Sequence, residues 1–146
     1  MRRRAGVTSA TPARALRLSA ELARTLAAHV RSELPNEACG LLSGELAAGG
    51  VRSFHPARNE HASPLRFSLD PRDLVRISYA IEGAGEELVA IFHSHPNGAA
   101  EPSPTDLREA RYPAALHLLA GRDGELRAWR IRADGAEEVP LEVAGD

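Results

Sequence analysis

The sequence predicts a single α/β domain with a mixed central β-sheet flanked by helices, and three observations favour this class. The chain has 146 residues, the size of one ordinary domain. Segments with apolar residues at helical spacing are interspersed with short strand-like runs. One run, LVAIF at residues 88–92, is apolar throughout, which is typical of a strand covered on both faces.

The first helix is expected to begin at Ser19. Residues 1–16 lack periodicity and are expected to form a flexible N-terminal tail, which leaves residues 17–146 as the folded domain. Ser19 is a suitable N-cap, and Pro35 ends the helix. Its apolar face carries Leu22, Leu26 and Val30.

Short strands and a second helix follow. A capping aspartate, Asp70, precedes Pro71 and predicts a helix that runs to about Gly83. Strands are expected at residues 38–43, 51–59 and 66–69, with a turn region at 44–50. We expect residues 51–59 to form an exposed edge of the sheet, where an extended peptide can pair.

The C-terminal half continues with the same alternation. The 88–92 strand leads into His93, and a further helix is expected to begin at Ser103. The pairs Asp123-Gly124 and Asp134-Gly135 predict hairpin turns. The remaining strands are expected at residues 114–120, 126–133 and 138–143.

Composition excludes several classes of function. The net charge is −2 with both signs interspersed, which does not favour a nucleic-acid partner. No apolar run approaches the roughly 20 residues that span a membrane. Cys39 is the only cysteine, so an internal disulfide is impossible and a reducing, cytoplasmic location is expected. A monomer and a homodimer both remain open.

The stretch HSHPNGAAEPSPTD at residues 93–106 contains a candidate zinc site. Residues two apart on a strand project from the same face, so His93 and His95 can approach one point. Catalytic zinc takes three protein ligands and leaves a position for water. Asp106 is the obvious third ligand, because Pro96 ends strand pairing and small residues let the chain turn back.

A second interpretation assigns the same residues to a helix cap. Ser103-x-x-Asp106 matches a capping box with Pro104 at the first helical position. The two interpretations are compatible, because the start of a helix favours an anionic Asp106 that can also bind metal. As an N-cap, Ser103 accepts a backbone N–H and keeps its own proton free for an oxyanion.

Hydrolysis also requires a group that moves protons. Glu37 precedes the predicted strand at residues 38–43, where a carboxylate can point from the sheet end toward the metal. The alternative is a solvated glutamate at a helix end.

Together these positions resemble the JAMM (MPN-plus) zinc metalloprotease motif, in which a glutamate precedes H-[ST]-H-P-x7-S-x2-D. Glu37 is followed by CGLLSG, and the spacing from His93 through Ser103 to Asp106 agrees at every signature position. Asn59, Ser63-Pro64 and residues 67–71 resemble the bacterial, Mec-type branch.

The resemblance implies a cytidine-deaminase-like (JAMM/MPN) fold and one zinc ion per chain. It implies that His93, His95 and Asp106 hold the zinc, that Glu37 acts as general base and then acid, and that Ser103 steadies the oxyanion. Members of this family cleave the bond after the C-terminal Gly-Gly of ubiquitin-like proteins. Bacterial members act on ubiquitin-like sulfur carriers and can release cysteine, which implies such a carrier as partner. The chain is short after Asp106, which disfavours specificity for polyubiquitin.

Four alternatives are less consistent with the sequence. A cytidine deaminase needs a downstream Pro-Cys-x-x-Cys, which one cysteine cannot supply, and the mixture of helix and strand disfavours a jelly-roll iron oxygenase. A hydrolase built on Cys39 is conceivable, although a cysteine in an apolar strand is more often buried. A non-catalytic MPN-type binding module would not need the complete ligand set. Packing or surface roles are expected for Trp129 and for the four remaining histidines: His29, His55, His61 and His117.

Overall fold

The computed structural model describes residues 13–109, 112, 114–132 and 134–145. Within these residues eight strands form one sheet, with three helices. In chain order the elements are β1 (Leu16–Ser19), α1 (Ala20–Glu33), β2 (Cys39–Glu45), β3 (Gly50–Ala57), α2 (Pro71–Gly83), β4 (Glu87–Ser94), α3 (Pro104–Glu109), β5 (Leu116–Ala120), β6 (Leu126–Arg132), β7 (Gly135–Val139) and β8 (Leu141–Ala144).

The sheet is mixed, as predicted. Its strand order is β7-β6-β5-β4-β2-β3-β1-β8. β4 pairs with β5, and β1 with β3 and β8, in parallel, while the other pairs are antiparallel. β7 and β8 are separated by Pro140 alone and yet lie at opposite ends of this order. The sheet therefore curls until its two ends approach each other.

Two apolar clusters cover the two faces of the sheet. The first contains Leu26 of α1 together with Phe92 of β4. The second contains Ile77 and Ile81 of α2 together with Ile91. Because Ile91 and Phe92 are neighbours on one strand, β4 is covered on both faces, which confirms the prediction from its apolar run.

The predicted helix caps are present. The Ser19 hydroxyl accepts a hydrogen bond from the Leu22 amide at 3.0 Å. The Asp70 carboxylate accepts from the Arg72 amide at 2.8 Å, and Pro71 is the first residue of α2. These bonds satisfy amides that have no partner within the helix and so fix both helix starts. No helix among the described residues is long and apolar enough to cross a membrane.

Two expectations about the N-terminal tail and the sheet edge need correction. Residues 1–12 of the expected tail lie outside the described residues, but Ala13, Ala15 and Leu16 are buried, and β1 pairs in parallel with β8. The segment expected as an exposed edge, 51–59, forms most of β3, which lies inside the strand order. Arg17 and Gly50 are the paired residues of β1 and β3.

Two predicted strands also differ from the structure. Residues 66–69 form a single bridge between Leu69 and Asn59 and no ladder, because the neighbouring Arg66 carbonyl and Ser68 amide bond to the Asn59 side chain. The predicted strand at 138–143 is divided at Pro140, which cannot donate to a ladder. Its two parts join opposite ends of the sheet as β7 and β8.

Candidate metal centre

Strand register brings Glu37 beside the histidine pair. Cys39, the first residue of β2, pairs with His93 near the end of β4. The Ser94 amide then donates to the Ala38 carbonyl at 3.0 Å, which extends the contact by one residue. Glu37 is the next residue outward and therefore lies at the sheet end from which His93 and His95 emerge.

The two histidines and Asp106 converge on one point. The Nε2 atoms of His93 and His95 lie 3.2 Å apart. The Asp106 Oδ2 lies 3.3 Å from the first and 3.2 Å from the second. Ligands at ~2.0–2.1 Å from a tetrahedral zinc ion are separated by about 3.3 Å. The three donor atoms therefore have the spacing and the chemical types of a zinc site.

Neighbouring groups orient each of the three candidate ligands. The His95 Nδ1 lies 2.9 Å from the Ala99 carbonyl, to which it must donate, so its Nε2 lone pair is free for metal. Phe67 stacks on His93 with ring centroids 4.1 Å apart. The Asp106 Oδ2 accepts from the Ser103 amide at 2.8 Å, and the Ser103 hydroxyl accepts from the Asp106 amide at 3.0 Å. This reciprocal pair is the predicted capping box.

The electrostatic environment suits a divalent cation. Burial lowers the pKa of His93, so this imidazole is neutral and able to bind metal. Burial opposes ionisation of Asp106, but hydrogen bonds with His93 and His95 hold its pKa far below the usual range. Burial also acts to lower the pKa of His95, yet its bonds to Asp106 and Ala99 raise it overall. A metal ion would have to displace the proton that His95 binds at low pH, so acid should weaken metal binding.

Glu37 is a buried carboxyl with proton-transfer character. It is 4% exposed, and burial is the main cause that raises its pKa to about 8. Its Oε1 has no hydrogen-bond partner among the described residues. One of its oxygens lies within 4.8 Å of ligand atoms of His93 and His95. Glu37 is therefore not a solvated helix-end residue.

Glu37 and Asp106 both lie near the histidines, and Asp106 has the geometry and charge that better suit a third metal ligand. Asp106 makes the short, nearly equal distances to the two Nε2 atoms and is ionised. Burial raises the pKa of Glu37 to about 8, so this carboxyl can both accept and release a proton near neutral pH, which suits a proton carrier better than a metal ligand.

A cavity of about 290 Å³ opens beside this cluster. One wall is the segment from Asn59 to Leu69, here called the 59–69 loop, and β4 and β5 supply another. His117 of β5 lies in this wall, where burial lowers its pKa to about 4. Sequence spacing did not identify His117, because the parallel pairing of Ile91 with His117 brings it beside β4.

The remaining candidates have packing roles. Burial raises the pKa of Cys39 to about 12, so its thiol is not the nucleophile of a cysteine hydrolase. The His29 Nε2 lies 3.1 Å from the Cys39 carbonyl, and the His55 Nε2 lies 2.8 Å from the Ser43 hydroxyl. The Trp129 Nε1 donates to the Ala100 carbonyl at 2.9 Å, and this bond stabilises the loop that follows His95.

Several characterised proteins resemble this chain. It is 35% identical to the desampylase of Haloferax volcanii over 88% of this chain and 96% of that protein. It is 36% identical to the CysO-cysteine peptidase of Mycobacterium tuberculosis, with 86% and 89% of the two chains covered. It is 40% identical to the probable TtuB-protein conjugate cleaving protease of Thermus thermophilus, with 80% and 74% covered.

A solved structure and a family match agree with these sequence relatives. A solution structure from Desulfitobacterium hafniense superposes with a TM-score of 0.82 and 31% identity, covering 90% of this chain and 94% of that one. Residues 19–132 match the family described as prokaryotic homologs of the JAB domain. The resemblance to JAMM proteins is thereby confirmed, and the chain belongs to the family of prokaryotic JAB-domain homologues.

Proposed function

We propose that this chain is a zinc-dependent hydrolase that cleaves the peptide or isopeptide bond after the C-terminal Gly-Gly of a ubiquitin-like sulfur-carrier protein. The observation that carries the proposal is the convergence of His93, His95 and Asp106 within 3.3 Å of one another beside the buried Glu37. Relatives named for CysO-cysteine and for TtuB-protein conjugates support the substrate class.

His93, His95 and Asp106 would hold the zinc. Zinc bound there supplies a Lewis acid that polarises the scissile carbonyl and makes a water molecule more acidic. Glu37 accepts a proton from the attacking water as the water oxygen bonds to the carbonyl carbon. The C–N bond then breaks, and Glu37 delivers the proton to the departing amine nitrogen. A carboxyl with a pKa near neutrality suits both transfers.

We assign the stabilisation of the oxyanion to Ser103. Its hydroxyl oxygen accepts from the Asp106 amide, so the hydroxyl proton is free to donate. A donor aimed at the charge that develops on the carbonyl oxygen lowers the barrier most when water is excluded. The same serine therefore serves as helix cap and as oxyanion donor.

The cavity is an argument for a substrate that enters as a narrow, extended tail. Phe67, Leu69 and His93 all line this cavity. Glycine lets a peptide backbone pass close to recessed metal ligands, since it has no side chain to accommodate. Main-chain hydrogen bonds supply affinity in this mode, while the folded body of the carrier supplies identity.

The test is cleavage of a folded carrier whose C-terminal Gly-Gly is extended by cysteine or a short peptide. The protein loaded with one equivalent of zinc should release the carrier ending in Gly-Gly, as measured by product mass. The same carrier with Ala-Ala should be cleaved far more slowly, and chelated protein should be inactive. Binding of the carrier without cleavage would favour the alternative, a non-catalytic MPN-type module. Equal cleavage of both carriers would contradict the Gly-Gly rule.

A further inference from the structure

The side-chain amide of Asn59 uses all of its hydrogen-bonding capacity. Asn59 is 9% exposed and follows the end of β3. Its Nδ2 donates to the carbonyls of Glu37 at 3.2 Å and Arg66 at 2.9 Å. Its Oδ1 accepts from the amides of His61 at 3.1 Å and Ser68 at 3.0 Å. Two carbonyls on the nitrogen side and two amides on the oxygen side fix the orientation of this group.

The backbone of Glu37 is held by the 59–69 loop. Its amide donates to the Ser63 carbonyl at 2.8 Å, and its carbonyl accepts from Asn59. β2 begins only at Cys39, and contact with β4 begins at Ala38, whose amide donates to the Ser94 hydroxyl at 2.9 Å. Both polar backbone groups of Glu37 are therefore bonded to the loop and not to the sheet.

The same loop is a wall of the cavity. Phe67 stacks on the His93 ring, and His61 and Ser68 also line the cavity. A displacement of this wall is therefore transmitted to the backbone that carries the Glu37 carboxyl.

We propose that Asn59 is a positioning residue that couples the substrate-binding wall to the general base Glu37, an inference that rests on the proposed hydrolase function. An amide is required at this position because only an amide donates to two carbonyls and accepts from two amides. Aspartate retains the acceptor bonds to His61 and Ser68 but cannot donate to Glu37. Alanine removes all four bonds.

A double-mutant cycle separates positioning from simple structural support. Asn59→Ala should lower the single-turnover rate by about 10- to 100-fold, the scale of a small misplacement of a reacting group. In a Glu37→Gln background the same change should lower the rate by less than about threefold, because the group that Asn59 positions is already disabled. Zinc content should remain one per chain.

Asn97→Ala is the matched control, because Asn97 is exposed in the loop after His95. This control should retain the wild-type rate. An equal loss of rate from Asn59→Ala in both backgrounds would overturn the proposal. If Asn59→Ala does not fold, Asn59→Asp takes its place in the cycle, because it retains the two bonds that close the loop.

Amide exchange measured by NMR gives a readout that does not depend on activity. The Glu37 amide bonds to Ser63 and not to Asn59. In Asn59→Asp it should nevertheless exchange at least about 10-fold faster, while the Leu42 amide in β2 is unchanged. Unaltered protection at Glu37 would overturn the coupling. If the wild-type protein cleaves no carrier, the proposed function fails, and this exchange measurement still decides whether Asn59 holds the backbone of Glu37.

Discussion

Phe67 stacks on His93 with the two ring planes 23° apart. The His93 Nδ1 is buried and has no hydrogen-bond partner among the described residues. His95, in contrast, is oriented through its Nδ1 by the Ala99 carbonyl. The orientation of the His93 ring therefore depends on aromatic packing where a metal-binding histidine commonly has a hydrogen bond.

Phe67→Ala should weaken zinc binding, because His93 loses the ring that fixes its orientation. Changes in such supporting groups typically cost ~10–100-fold in metal affinity. Competition with a chromophoric chelator measures this affinity. Phe67→Leu should retain most of it, and Leu65→Ala, which alters a residue 75% exposed in the same loop, is the control. Unchanged affinity in Phe67→Ala would show that β4 alone orients His93.

Ser103→Ala should impair both stability and rate. Loss of the cap to the Asp106 amide should cost about 1 kcal/mol of unfolding free energy. Loss of an oxyanion donor should lower kcat by ~10²–10³-fold. Urea unfolding and single-turnover kinetics measure the two effects separately, and Ser103→Thr should retain both functions. A kcat within threefold of the wild-type value would exclude Ser103 as the oxyanion donor.

His117 should make stability depend on pH. Its folded-state pKa, about 4, lies below the ordinary value of 6.5 because the ring is buried. Between these values the unfolded chain binds a proton that the folded chain does not, so stability falls as the pH falls from 6.5 to 4. Between pH 7 and pH 5, zinc-free wild-type protein should lose about 2 kcal/mol more than His117→Gln. The control is His61→Gln, at an exposed position. Parallel pH profiles for wild type and His117→Gln would contradict this account.

The convergence of the three candidate metal ligands could be predicted from the sequence because these residues are close along the chain. His93 and His95 occupy the end of one apolar strand, and Asp106 occupies the first turn of the next helix. Glu37 is different, because its position depends on the register between Cys39 and His93, which lie 54 residues apart in sequence. Periodicity does not determine that register, so the sequence indicates Glu37 only through its place before the predicted strand at 38–43 and through the family motif.

The 59–69 loop and β1 were missed for physical reasons. The shape of the loop is imposed by the four bonds of Asn59, which the strand-like alternation at residues 66–69 does not reveal. β1 has four residues and is stabilised by parallel pairing with β8, which is more than a hundred residues away in sequence. Such a short strand carries little periodicity of its own.

Glu37→Gln tests the central claim most directly, because glutamine is nearly isosteric with glutamate but cannot carry a proton. Zinc content and single-turnover cleavage of the Gly-Gly carrier should be measured on the same preparation of each protein. The account predicts one zinc per chain in both proteins and a rate lower by ~10²–10⁴-fold in the variant. A variant that keeps its zinc and cleaves within a few-fold of the wild-type rate would contradict the assignment of Glu37 as the general base.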